Sequence, residues 1–383
     1  MKKESRFAVE FIDLKSQYFK YKKEIDESIF KVLGNADYIL GEEVEQFEKE
    51  IAQYVGRKYA VACSDGTSAL QLIYMAYNIG EGDAVFCPDM TFIASVEPAC
   101  LLGATPVFCD IDGESYNISV DCLEKQIKKV ISDGKLKPRA IVAVDFIGNP
   151  IDYHALKSIA EKYDLLLIED AAQGIGAVYN GKKCGTLGDI SATSFFPSKP
   201  LGCYGDGGAV FTDDENIYKL LKSIRVHGKG KTKYDNIHIG VNSRLDTIQA
   251  AILRVKLKYL DREIEKRQEI AKEYSSKLEE YVKVPVINHN NISAYAQYVI
   301  VLESMKQRNE LMEYLKGKNI PTIQYYPNPL HKLPVFSNVN CYGETYECSS
   351  WYGECSLGIP FSAFLKSEDQ QYIIKSIIEK IGK

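Results

Sequence analysis

No run of 18 or more apolar residues occurs in the sequence, so none of it is long enough to cross a bilayer as a helix. The start, MKKESRFAVEFIDLKSQ, is positively charged but lacks the apolar stretch of a secretory signal, which makes the cytoplasm the expected compartment. No two of the 10 cysteines are spaced C-x-x-C. Cys63, Cys87 and Cys109 sit inside apolar runs, where a thiol acts as a small hydrophobe. Cys341, Cys348 and Cys355 recur at intervals of seven, but no histidine lies among them, so no metal site is expected there. A strong charge imbalance is also missing. The formal net charge of -5, with basic residues scattered, argues against nucleic acid as the main partner. Only Lys229, Lys231 and Lys233 are locally basic, either as a solvated glycine-rich loop or as a cover over an anionic substrate. Internal repeats and low-complexity segments are absent as well.

What is present describes an ordinary folded chain. At 383 residues it exceeds one hydrophobic core, and 45% hydrophobic with 26% charged residues is a globular composition. From about residue 45, short β-rich runs alternate with helical segments. Strands are expected at 59–63, 84–87, 106–110, 140–145, 165–169 and 190–196, with helices after Gly66, over about 91–102 and over 153–163. Uniformly apolar strands separated by helices predict a mostly parallel sheet covered on both faces. Ligands in such sheets bind beyond the carboxyl ends of the strands. A long helical stretch over 244–278, then a strand at 298–302 and a helix at 310–316, predict a smaller α+β unit. The expected division is residues 1–250 as the larger domain and 251–383 as the smaller.

Three features at strand ends carry chemistry. Lys199 follows SFFPS on a turn, and a lysine held near apolar surface can lose its proton and act as a nucleophile toward carbonyls. The glycines at 202, 205, 207 and 208 permit a tight turn beside it. Asp170 ends the strand LLLIE, where its carboxylate would serve either a cationic partner such as a protonated pyridine nitrogen or the cap of the following helix. Gly66-Thr67-Ser68 opens a helix, whose free N–H groups suit a phosphate.

SDGTSAL at 64–70, PDMTFIAS at 88–95, EDAAQ at 169–173, SFFPSKPLGCYGDGGAVFT at 194–212 and GVNSRLDTIQAAIL at 240–253 together resemble the DegT/DnrJ/StrS family of sugar-nucleotide aminotransferases. The likeness runs from FIDLKSQY to YYPNPLHKLPVF at 325–336. It implies an α/β fold of the aspartate-aminotransferase type and pyridoxal 5'-phosphate (PLP) as cofactor. By this resemblance Lys199 is the attachment lysine and Asp170 the partner of the pyridine nitrogen. Gln173 is the donor to the ring's phenolic oxygen, and Phe92 is the ring-stacking aromatic. Gly66, Thr67 and Ser194 form the phosphate cradle, and Asn242 reaches the phosphate from a second subunit, implying a homodimer with shared active sites.

The implied reaction passes an amino group from an amino acid, L-glutamate, to a keto sugar of a nucleotide sugar in surface-polysaccharide or lipopolysaccharide precursor synthesis. RVHGKGKTKYDNIHIGVNSRLD and NNISAYAQY look like members acting on UDP-2-acetamido-2-deoxy-3-keto hexuronates, and an NDP-4-keto-6-deoxy hexose is the alternative. Arg244 would then meet a carboxylate or phosphate, or else pair with Asp246. His227, Tyr325, Tyr326 and His331 are further expected substrate contacts. The chain departs from the family pattern at Tyr325, Ser362 and Asp145, each standing where histidine is common.

Overall fold

The computed structural model describes residues 9–232 and 234–382. Lys233 and the first eight residues lie outside the described residues, so the basic stretch is seen only through the exposed Lys229 and Lys231.

Seven strands form the central sheet: β1 (Tyr59–Cys63), β2 (Asp83–Pro88), β3 (Thr105–Cys109), β4 (Lys137–Val144), β5 (Leu166–Asp170), β6 (Ile190–Ser194) and β7 (Gly208–Thr212). Their order across the sheet is β1-β7-β6-β5-β4-β2-β3, and only β7 runs antiparallel to its neighbours. The strands are mostly apolar because both faces are buried. Ala60, Ala62, Phe86, Ile141 and Leu167 enter one core; Val61, Val85, Val142 and Ile168 enter the other. Since β1 lies parallel to β6, the carboxyl ends of β1, β2, β4, β5 and β6 all open on one edge. The sheet thus delivers residues 64–67, 89–95, 145, 170–173 and 194–199 to a common place.

The helix expected over 91–102 is instead a 3₁₀ turn, Ile93–Ser95, followed by the short helix Glu97–Leu101 with Pro98 in its first turn. Proline fits there because the N–H it lacks has no intrahelical partner. The stretch 244–278 is two helices, Thr247–Leu257 and Leu260–Leu278. The break falls at Tyr259, whose ring stacks on Tyr21 at 4.2 Å and whose hydroxyl bonds Glu24. Both partners belong to α1 (Leu14–Asn35), a helix that the reading of the sequence did not pick out.

A separate core gathers mostly residues from 270 onward. Strand β8 (Tyr298–Val301) pairs antiparallel with β9 (Ser356–Ile359), and Tyr274, Tyr298, Phe361 and the helices Met305–Gly317 and Ser367–Ile381 enclose that pair. Between it and the sheet, Met90, Phe146 and Tyr352 pack with Val299 and Val301. The segment 325–336 crosses this junction to the carboxyl edge of the sheet.

Candidate active site

Strand β1 turns at Ser64-Asp65 into helix α3 (Gly66–Ala76, after the helix α2 at Glu42–Val55). Asp65 caps α3, its Oδ1 accepting from the Ser68 N–H at 2.7 Å. That spends the third amide and leaves those of Gly66 and Thr67 without intrahelical acceptors. A Cβ on Gly66 would lie 2.7 Å from the Cβ of Ser194, so only glycine lets the end of β6 close against this turn.

Asp170 ends β5, 5% exposed. Its Oδ1 accepts from the Ala172 N–H at 3.1 Å and its Oδ2 from the Ser95 hydroxyl at 2.7 Å. The Ser95 proton being committed to the carboxylate, the Thr91 hydroxyl donates to Ser95 at 2.9 Å. Burial pushes the Asp170 carboxyl above its ordinary range, opposed by the Ser95 and Ala172 hydrogen bonds and by Lys199. A cation placed against this carboxylate would relieve that penalty.

Gln173 follows on the next turn. Its Oε1 accepts the Ile147 N–H at 2.5 Å, which fixes the amide so that Nε2 turns to the cavity, where it meets the Tyr326 hydroxyl at 3.3 Å. Gln173 is therefore held as a donor.

Lys199 sits on the turn after β6, its N–H bonded to the Phe196 carbonyl at 2.9 Å. Among the described residues its Nζ has neither an ion pair nor a hydrogen bond. Burial pushes its pKa down, with Asp170 pulling the other way. The same turn is held from behind by Lys256, whose Nζ donates to the Gly202 carbonyl. Burial brings Lys256 down to about 8, with Glu263 opposing.

These groups line one cavity of about 440 Å³, within the range of small-molecule sites. Gly66, Thr67, Phe92, Asp170, Gln173, Ser194, Lys199, Tyr325 and Tyr326 all border it. Phe92, 55% exposed, faces Tyr326 with ring centroids 5.7 Å apart. A phosphate-sized set of free amides, a buried carboxylate, an oriented amide donor, an open aromatic face and an unpaired lysine fit PLP. When bound, that group supplies an electron sink.

Four expected positions lie elsewhere. Asn242 and Arg244 line an adjoining polar cavity of about 370 Å³ with Ser64, Gly205 and Asp246, and the two cavities share Asp206. Among the described residues Arg244 makes no ion pair, with Asp246 or any other acid. His227 is exposed, on a left-handed turn (φ 58°), away from both cavities. His331 does not border the main cavity; it is bound to Asp89. In the other direction, Ser95 and Thr91 went unnoticed. Their signal was two hydroxyls four residues apart just past a strand end, in the motif that supplied Phe92.

The buried acids Asp145 and Glu169 lie close to Cys184 beneath this floor. Glu169 accepts from the amides of Gly185, Leu187 and Gly188 and from Ser191, which saturates both oxygens. Burial, and after it the charge of Glu169, push the Asp145 carboxyl well up, and its Oδ1 accepts from the Tyr153 hydroxyl at 2.9 Å. Among the described residues no transmembrane-length apolar helix occurs.

A curated relative from Pseudomonas aeruginosa, UDP-2-acetamido-2-deoxy-3-oxo-D-glucuronate aminotransferase, is 44% identical over 331 residues, covering 86% of this chain and 89% of its own. The crystal structure of a DegT DnrJ EryC1 StrS aminotransferase from Brucella abortus superposes with a TM-score of 0.96 at 43% identity, over 98% of this chain and 100% of the other. NtdA from Bacillus subtilis, crystallised with its bound cofactor PMP, superposes at 0.90 with 26% identity, over 100% of this chain and 87% of its own. With residues 20–378 matched by its profile, the chain belongs to the DegT/DnrJ/EryC1/StrS aminotransferase family.

Proposed function

We propose that this PLP-dependent sugar aminotransferase moves the amino group of L-glutamate onto the keto group of a UDP-2-acetamido-2-deoxy-3-keto hexuronate, supplying surface-polysaccharide precursors. The observation that carries aminotransfer is the meeting in one cavity of an unpaired Lys199, whose charged form burial disfavours, with the buried Asp170 carboxylate.

In this reading Lys199 Nζ first holds the cofactor. Once freed by the amino donor, its amine would be placed to carry a proton between the two carbons that exchange it, a service typically worth ~10²–10⁴-fold. Asp170 would pair with the cofactor's ring nitrogen and favour its protonated form, and Ser95 holds that carboxylate in place. Gln173 Nε2 donates to the ring oxygen. The amides of Gly66 and Thr67, with Ser194, take the phosphate, and Phe92 covers the ring.

Arg244 supports the acidic sugar, as an unpaired guanidinium able to grip a carboxylate with two parallel bonds. The 44% identical relative, named for such a substrate, supports it too. One feature favours an NDP-4-keto-6-deoxy hexose instead: among the described residues Lys199 is the sole basic side chain bordering the main cavity. Phe19, Phe30, Leu33, Tyr38 and Ile39 are exposed along α1 and the segment after it. Apolar surface of this extent supports a homodimer, and in this reading the dimer works in the cytoplasm with Asn242 and Arg244 serving the partner's cavity.

The test is an absorbance titration. L-glutamate should bleach the visible band of the holoenzyme, and one keto sugar from a UDP and dTDP panel should restore it. Lys199→Ala should lose both changes. Arg244→Gln should lower kcat/KM for the uronate ~10–150-fold, the worth of a hydrogen bond to a charged group, while sparing neutral sugars. Restoration by a neutral 4-keto-6-deoxy sugar alone would overturn the substrate reading.

A further inference from the structure

The main cavity has two aromatic walls from distant parts of the chain. Phe92 follows the end of β2, and Tyr325 and Tyr326 come from the junction segment. What joins them lies outside the cavity. Asp89, the first residue after β2 and 0% exposed, accepts twice from a single residue 242 positions away. Its Oδ1 takes the His331 backbone N–H at 2.8 Å, and its Oδ2 lies 2.6 Å from His331 Nδ1. The Asp89 carbonyl accepts the Leu330 N–H, also at 2.8 Å, while its own N–H bonds the Cys109 carbonyl. Facing a carboxylate oxygen, Nδ1 carries the proton. The imidazole is clamped from its other side by Tyr346, stacked at 4.5 Å with the planes 17° apart.

We infer that Asp89 and His331 form a latch that sets the gap between Phe92 and the Tyr325–Tyr326 wall, and so position the nucleotide-sugar substrate without touching it. Several features make this more than ordinary packing. The carboxylate is wholly buried, and burial pushes it up in pKa while His331 and Asp110 act on it in opposite senses. Among the described residues His331 is the one basic side chain within ion-pair distance of Asp89. A buried carboxylate deprived of that partner is costly, so the segment cannot slide without leaving it unsatisfied. Three bonds fall on two consecutive residues, Leu330 and His331, four and five positions after Tyr326. Across the cavity Phe92 is three positions after Asp89. Both walls therefore hang from the same short anchor. Tyr326 also touches Gln173, so movement of this wall alters the Gln173 side of the cavity more than the Gly66–Ser194 turn, which α3 and β6 build independently.

The inference rests on the cavity binding a nucleotide sugar. It is tested with purified holoenzyme by following each half-reaction separately, together with calorimetric binding of the aminated sugar nucleotide. His331→Ala should raise the sugar KM and the product Kd ~10-fold or more, since displacing a positioning wall by about 1 Å is enough for such losses. The glutamate half-reaction should suffer at least fivefold less. His331→Asn, whose side-chain N–H can replace Nδ1–H toward Asp89, should recover most of the sugar affinity. Equal losses in both half-reactions, unchanged sugar affinity in folded His331→Ala, or failure of folded His331→Asn to rescue would each overturn the latch. If His331→Ala does not fold, Asp89→Asn takes its place under the same criteria. Failure of wild-type enzyme to aminate any sugar nucleotide would instead defeat the functional reading beneath it.

Discussion

Ser95 offers a direct test of how the Asp170 carboxylate is held. Replacing it with alanine removes the 2.7 Å hydrogen bond to Oδ2 and leaves the Thr91 hydroxyl without its acceptor. Ser95 is 2% exposed and Thr91 3%, so water does not readily take over. A hydrogen bond to a charged group is worth ~1.5–3 kcal/mol, which corresponds to ~10–150-fold in an equilibrium constant. The bond favours the ionised carboxylate, the form that pairs with a protonated ring nitrogen, so its loss falls on cofactor binding and on turnover. The assay is titration of apo-protein with PLP by absorbance, with kcat measured at saturating cofactor and the thermal unfolding of apo-protein as the check on folding. Ser95→Ala should weaken PLP binding at least ~10-fold, and Ser95→Thr, which keeps the hydroxyl, should stay near wild type. A folded Ser95→Ala protein that binds PLP and turns over within about twofold of wild type would refute the reasoning that this bond is worth its charged-group value.

Two further outcomes follow from the same geometry. Gly66→Ala puts a Cβ 2.7 Å from the Cβ of Ser194, an overpacking of ~1–3 kcal/mol that should weaken PLP binding and lower the apo-protein's unfolding free energy, the stability loss being partly recovered by adding Ser194→Gly. Lys256, near 10.5 when unfolded and about 8 when folded, binds fewer protons in the native protein between those values, so its contribution to stability rises with pH across that window and its full penalty applies below it. The unfolding free energy of wild type minus that of Lys256→Met should therefore climb by on the order of 3 kcal/mol between pH 7 and 10; a flat difference would mean the ammonium is not desolvated.

Much of this site could be read along the chain because it is built where strands end. The apolar runs that became β1 to β7 stand out locally, and a residue such as Asp170 or Lys199 is found by stepping past the last apolar position. Helix α1 escaped notice for a converse reason. It buries only Gln17, Tyr21, Ile25 and Val32, a stripe too sparse to register as a periodic apolar face. The break at Tyr259 depends on Tyr21 and Glu24, which no local pattern near residue 259 reveals. His331 shows the same limit within the site. The family resemblance implies a substrate contact, whereas its partner lies 242 residues away and holds the ring outside the cavity lining. Arg244 and Asn242 stand in the motif beside the cofactor residues, yet open into a neighbouring cavity.

The position of β7 has a consequence for how the enzyme is made. It lies between β1 and β6, so the turn proposed to receive the phosphate is anchored to a strand some 145 residues further on, Cys63 pairing with Gly208. On the ribosome, β1 and α3 emerge long before that neighbour exists, and the aromatic wall at Tyr325 and Tyr326 emerges later still. Contacts of such sequence separation form slowly, and domains of this size assemble through partly ordered intermediates. PLP consequently cannot template the early stages of synthesis. It captures a nearly finished protein, and its stabilisation acts as a final mass-action pull on a sheet already closed.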